Sequence, residues 1–193
     1  NLDIKKNDNY ILFAPSWSLS DHNILESFSI KILNKLLKSD FKVIFRPHQE
    51  HFKRSKKKLK DIFNQFENNS NLIINKKPNN LESFEMSNFL ISDYSGIVHE
   101  FLFSCKKPFL IFDDFKKIHN KNYFEIKRES FEEEIYEKFG YMINISNIEN
   151  IEDHILITKK NFEKKKYEID NFCKQNIYTI EKSSEIIFDE LII

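Results

Sequence analysis

Arg46 and His48 flank Pro47 in the stretch "FRPHQEH", and Ser95-Gly96 precede Glu100 in "LISDYSGIVHEFLF". Both clusters hold residue types that grip phosphate. A guanidinium can clamp two phosphate oxygens at once, and an imidazole can donate to a diphosphate oxygen or shuttle a proton. Pro47 fixes the backbone between them. A helix opening at Ser95-Gly96 exposes unpaired N–H groups at its positive end, an arrangement that attracts anions. Gly96 is one of 2 glycines in 193 residues, and it removes the side chain that would hold a phosphate at a distance. Glu100 falls about a turn further on, off the apolar stripe of Ile97, Val98, Phe101, Leu102 and Cys105, where a carboxylate can accept from ribose hydroxyls. Phosphate at the helix start and ribose one turn along describe a nucleotide-diphosphate site. Plainer readings stay open: Ser95 as a simple N-cap, Glu100 as a solvated helix residue.

Other polar groups gather at similar places. "APSWSLSDH" sets Ser16, Trp17 and Ser18 ahead of a helical pattern, and Trp17, the single tryptophan, either stacks on a base or packs under a loop. Asp93 is able to ligate a cation, but no convergent carboxylate cluster accompanies it, and no metal or cofactor is expected. His51 reads as a bystander at the start of the next helix. Lys53 and Arg54 read as part of a solvated basic face. His22, His99, His119 and His154 show no metal-ligand spacing.

These residues need a scaffold, and the hydrophobic pattern supplies one. Short apolar runs at 10–15, 41–47, 71–76, 89–93 and 108–113 read as buried strands, with 141–146 as a sixth. Helical spacing occupies 23–38, 52–67, 81–87 and 96–105, then a segment near 129–138 and everything from 148 onward. Strands alternating with helices imply an α/β fold, a Rossmann-like doubly wound parallel sheet with a helical C-terminal tail. We expect a nucleotide-binding domain over 1–147 and helices over 148–193 packing on it. In such folds ligands bind at the carboxyl ends of the strands. Those ends carry Ser16 and Trp17, Arg46 and His48, Ser92 through Gly96, and Asp113-Asp114.

Composition narrows the classes. With 30 basic and 30 acidic residues there is no global field to recruit nucleic acid. A hydrophobic share of 40%, including 20 phenylalanines, fits a globular chain with a real core. Cys105 and Cys173 follow neither a disulfide nor a zinc pattern, and Cys105 reads as a buried reduced thiol. No apolar run approaches the ~18 residues of a membrane span and no signal peptide is visible, so a cytoplasmic location is expected. The absence of an initial methionine, with a strand soon after, suggests a piece of a longer protein. A receiver-like module would need an acidic cluster after the first strand, and "ILFAPSW" offers none.

"YILFAPSW", "VIFRPHQ", "NFLISDYSGIVHEFLF", "KPFLIFDD" and "HNKNYFEI" follow one another in an order that resembles the CDP-glycerol glycerophosphotransferase family, the teichoic-acid-type polymerases and their capsule relatives. The resemblance runs from about residue 10 to 126. It implies a GT-B enzyme whose C-terminal, donor-binding domain this chain resembles, a missing N-terminal domain, and work at the inner face of the cell membrane. It implies that His48 contacts the donor's diphosphate and is needed for transfer, with Arg46 beside it. It further implies that Ser92, Asp93, Tyr94 and Ser95 form a phosphate-cradling turn and that Glu100 meets the ribose. The implied substrates are CDP-glycerol or a similar nucleotide-activated donor and a polymer or lipid-linked acceptor. Three positions depart from the family pattern: Gln49 replaces a proline, Ser18 stands where many members carry arginine, and Gly96 replaces a second serine. The Trp-His-Gly-type motif of the family's N-terminal domain has no counterpart here. A GT-B glycosyltransferase using a nucleotide sugar is the alternative, and a domain that only binds nucleotide is a further one.

Overall fold

Runs such as Val43-Ile44-Phe45 and Phe109 to Phe112 have apolar side chains at consecutive positions, so both faces of these strands must be covered. A computed structural model describes residues 10–18, 23–39, 41–117, 120, 122–128, 130–177 and 182–191. The strands are β1 (Tyr10–Phe13), β2 (Lys42–Phe45), β3 (Leu72–Ile74), β4 (Ser87–Ser92), β5 (Phe109–Phe112) and β6 (Tyr141–Ile143). They form one parallel sheet in the order β3-β2-β1-β4-β5-β6. Strand order reverses direction between β1 and β4, which makes their carboxyl ends the crevice where ligands bind in open α/β sheets.

Helices cover both faces. One face packs Ile11, Phe13, Val43, Phe45, Phe89 and Ile91 against α1 (Ile24–Lys38), α3 (Lys56–Phe66) and the start of α7 (Ile151–Lys164). The other packs Leu12, Ile44, Leu90, Phe109 and Ile111 against α4 (Leu81–Met86), α5 (Gly96–Cys105), α6 (Phe131–Phe139) and α8 (Lys166–Asn176). Alternate residues of each strand feed opposite cores, so every one of these side chains is excluded from water, each contributing about 1.5–3 kcal/mol. α7 and α8 thus pack on the sheet. The last, α9 (Ser183–Leu191), leaves Ile187, Phe188 and Leu191 exposed.

One predicted element divides. The amphipathic stretch 52–67 is two helices, α2 (Gln49–Arg54) and α3, broken at Ser55, whose backbone takes φ −109° and ψ 34°. The break lets α2 tuck its buried His51 under the strand ends while α3 lays Leu59, Ile62 and Phe66 on the sheet. The predicted sixth strand also ends early: a 3-10 turn over Ile145–Asn150 follows it. Both cysteines are free, Cys173 buried and Cys105 half-buried.

Candidate active site

The reversal point is tied together before any ligand arrives. Beyond β1 and β4, the buried Asp93 carboxylate accepts from the Ser16 N–H at 2.8 Å and from the Ser16 hydroxyl at 2.6 Å. The Ser92 hydroxyl donates to the Ala14 carbonyl at 2.7 Å. From below, His51 Nε2 lies 3.0 Å from the Ser16 carbonyl and its Nδ1 lies 3.1 Å from the Ser55 hydroxyl. A carbonyl only accepts, so Nε2 carries the proton and Nδ1 accepts from Ser55. Burial raises the Asp93 pKa, with Lys117 and Ser16 opposing the rise. Burial likewise lowers that of His51.

Ser92 and Asp93 have no exposed surface. Their place is behind the site, where they fix its floor, because the end of β4 lies between β1 and β5. His51, read from sequence as a bystander, is part of that floor.

Two cavities open in front, and both are lined by Ser95 and Gly96. On the β2 side, about 290 Å³ is bounded by Ser16, Arg46, His48, Gln49, Asn80 and Glu100 among others. On the β5 side, about 370 Å³ is bounded by Tyr94, His99, Lys116, Lys117, Tyr123 and Tyr136 among others. The start of α5 therefore projects between them. Ser95 has extended backbone but no side-chain capping bond, and its N–H meets the Tyr136 hydroxyl at 3.3 Å. The simple N-cap reading of Ser95 thus lacks the bond that would define it. A Cβ built on Gly96 would meet nothing within 4 Å. Neither packing nor backbone strain demands glycine there, and the space it leaves belongs to the cleft.

Arg46 dominates the β2-side cavity. It is 7% exposed, and one terminal nitrogen donates to the Pro78 carbonyl at 2.9 Å. Its Nε is buried and finds no hydrogen-bond partner among the described residues. Burial lowers its pKa, and Glu100 partly offsets that. A guanidinium so placed is incompletely bonded by the chain, and burial makes that costly. Glu100 is exposed on the same wall and accepts from the Asn80 side-chain amide. Gln49 donates to the Lys76 and Lys77 carbonyls at 3.3 and 3.2 Å, holding the loop after β3 against α2.

His48 caps α2: its Nδ1 accepts from the Glu50 N–H at 3.2 Å. The neutral ring then carries its hydrogen on Nε2, which is left to donate to a ligand. Burial lowers the His48 pKa, Glu50 raises it, and Lys117 and Arg46 lower it again. Tyr94 lines the β5-side cavity and donates its hydroxyl to Asp113. Trp17 lies outside the linings of both cavities, with the Arg54 guanidinium 5.3 Å from its ring centroid. Lys53 and Arg54 pair with Glu50.

Lys117 was not singled out in the sequence, yet it reaches the centre of the site. It donates to the Ser16 hydroxyl and to the Tyr94 carbonyl at 2.9 Å. The one available hint was a basic pair three residues after the acidic end of β5. His22 and His119 lie outside the described residues. Among the described residues no group of three or more His, Cys, Asp or Glu converges as a metal ion would require, and no helix is long and apolar enough to cross a membrane.

Known proteins share the fold that carries this site. The wall teichoic acid polymerase TagF superposes with a TM-score of 0.58 at 19% identity, over 97% of this chain and 43% of that one. A UDP-GlcNAc 2-epimerase from Neisseria meningitidis, solved bound to UDP-GlcNAc, gives 0.57 at 18% identity over 98% and 46%. TarM gives 0.52 at 18% identity over 96% and 34%. These likenesses establish the fold, a Rossmann-like half of the GT-B kind, and the chain spans less than half the length of each structure. No curated protein sequence matches the chain. A family profile, described as CDP-Glycerol:Poly(glycerophosphate) glycerophosphotransferase, matches residues 1–189. The chain belongs to that glycerophosphotransferase family.

Proposed function

We propose that this chain binds a CDP-activated alditol phosphate, CDP-glycerol or a close relative, and presents it for transfer to a surface-polymer or lipid-linked acceptor. The observation that carries the reading is the buried Arg46, only partly bonded by the chain, lining a cavity that also holds the uncapped start of α5. Guanidinium, helix N-terminus and the His48 Nε2–H then converge on a diphosphate, and Glu100 receives the ribose. In transfer, the acceptor hydroxyl oxygen attacks the outer phosphorus. The bond from that phosphorus to the bridging oxygen breaks, and the nucleoside monophosphate leaves with the electron pair. The hydroxyl proton passes to a base on a facing GT-B domain. Arg46, His48 and the helix dipole stabilise the charge that gathers on the diphosphate, the main task in phosphoryl transfer. The intact enzyme works at the inner membrane face, where lipid-linked acceptors are reached.

A second reading keeps the site and changes the donor to a nucleotide sugar. It is favoured by the similarity of fold to the epimerase solved with UDP-GlcNAc. Calorimetric titration with CDP-glycerol, CDP-ribitol, CMP and UDP-GlcNAc, on wild type and His48→Ala, separates the two. A CDP ligand should bind best, and His48→Ala should weaken it about tenfold by removing a hydrogen bond to a charged group. Preference for UDP-GlcNAc moves the protein to the second reading. Binding of no nucleotide sinks both.

A further inference from the structure

The two cavities meet at Ser95-Gly96, and Arg46 faces that junction from the β2 side only. Lys117 faces it from the other. It lines the β5-side cavity, while Ser16, the hydroxyl it bonds, lines the β2-side one. An ammonium has three N–H donors. Two of them go to Ser16 Oγ and to the Tyr94 carbonyl.

Its charge balance also has a direction. Asp93, which attracts Lys117, has no exposed surface and spends its carboxylate on the Ser16 N–H and hydroxyl. Ser16 therefore stands between the two charges, with the carboxylate buried behind and the ammonium on the cavity side. The arrangement is a fixed dipole whose positive end adds to that of α5. The ammonium balances the buried Asp93 through Ser16 and still stands on the cavity side. A cation there suits an anion in the cleft. Glu132 and Glu133 also line this cavity, Glu133 paired with Lys116, and beside them stand His99, whose buried Nε2 has no hydrogen-bond partner among the described residues, Tyr123 and Ser130. These are short polar and aromatic groups of the kind that recognise hydroxyls.

We propose that Lys117 is a further phosphate-binding residue, holding the outer phosphoryl group of the donor from the β5 side while the small polyol esterified to it lies in the β5-side cavity. The proposal rests on the nucleotide-donor reading above. It divides the substrate at the start of α5, with nucleoside and inner phosphate towards Arg46 and the transferred group towards Lys117. Lys117 then neutralises a phosphorus substituent present in a nucleoside diphosphate and absent from a monophosphate.

The test compares CMP with CDP on wild type, Lys117→Gln and Lys117→Arg by calorimetry. Wild type should prefer CDP. Lys117→Gln should lose about tenfold in CDP affinity, the worth of one charge-assisted contact, while CMP changes by less than about threefold. Lys117→Arg should keep most of the preference. Equal losses for CMP and CDP, or an unchanged preference in Lys117→Gln, would overturn the proposal while leaving the nucleotide site intact. Wild type that binds neither nucleotide overturns the parent reading and this one together. Because Lys117→Gln leaves Asp93 without its cation, it can fail to fold. In that case uniformly ¹³C-labelled wild-type protein is titrated by NMR, following the Cε–Hε signal of the unmodified Lys117 side chain. The Lys117 resonance should move with CDP and not with CMP, and a resonance indifferent to CDP overturns the assignment.

Discussion

His51 shows how one side chain sets the floor of a site it never reaches. Its two ring nitrogens join the Ser16 carbonyl to the Ser55 hydroxyl, and protonating Nδ1 would turn an acceptor into a donor facing that hydroxyl. Burial holds its pKa below the ordinary value of 6.5, so the unfolded chain takes up the proton first as pH falls. Its contribution to stability is complete above pH 6.5 and is lost as pH drops towards the lower folded value. Urea melts at pH 7.5 and pH 5.5 should therefore show a larger penalty for His51→Ala at the higher pH, about 2–4 kcal/mol there. An equal penalty at both would mean that the ring is not held neutral. The glycines make a second contrast at this scale. A Cβ at 96 meets open space, so Gly96→Val should melt within about 0.5–1 kcal/mol of wild type, the range of a propensity change. The same variant should lose nucleotide binding, because its side chain fills the junction of the two cavities. A variant that binds normally would place the phosphate elsewhere.

At the scale of elements, the site depends on how α5 and α6 are seated against β5. Gly140 ends α6, and its Cβ position lies 2.5 Å from the Phe109 ring and 2.8 Å from the Tyr136 carbonyl. The close approach of chain to strand is what requires glycine there, since its φ of −89° is open to any residue. Gly140→Ala should cost about 1–3 kcal/mol as α6 is pushed off the sheet, measurable as a lower urea midpoint at unchanged slope. Tyr136, on the same helix, contacts Ser95 and stacks on His99 with ring centroids 5.6 Å apart. The shift should therefore also weaken nucleotide binding. Unchanged binding in Gly140→Ala would show that α6 only supports the fold.

For the whole molecule, a ligand seated at the junction of β1 and β4 joins segments from 16 to 117 in sequence, and binding must stabilise the entire fold. At a concentration of 100 Kd the gain is about 2.7 kcal/mol, read as a rise in Tm. Gly96→Val should show no rise. A nucleotide that raises Tm equally in both would be binding outside the junction. The sequence determined much of this molecule on its own. Consecutive apolar positions specify strands buried on both faces, and helical spacing specifies α1 and α5 nearly to the residue, because both patterns are local consequences of backbone geometry. The strand-end rule puts Arg46, His48, Ser95 and Gly96 on one rim, and helical spacing puts Glu100 a turn beyond them. Tertiary structure alone decided which rim residues face the cleft. Ser92 and Asp93 turn inwards because β4 lies between two neighbours, and a hydroxyl or carboxylate there must find partners in the chain. Trp17 turns towards Arg54. Lys117 and His51 reach Ser16 from 101 and 35 residues away, a meeting that only sheet order and the break at Ser55 create. Contacts between residues so far apart leave no period in the sequence, and these are the contacts that hold the floor of the site.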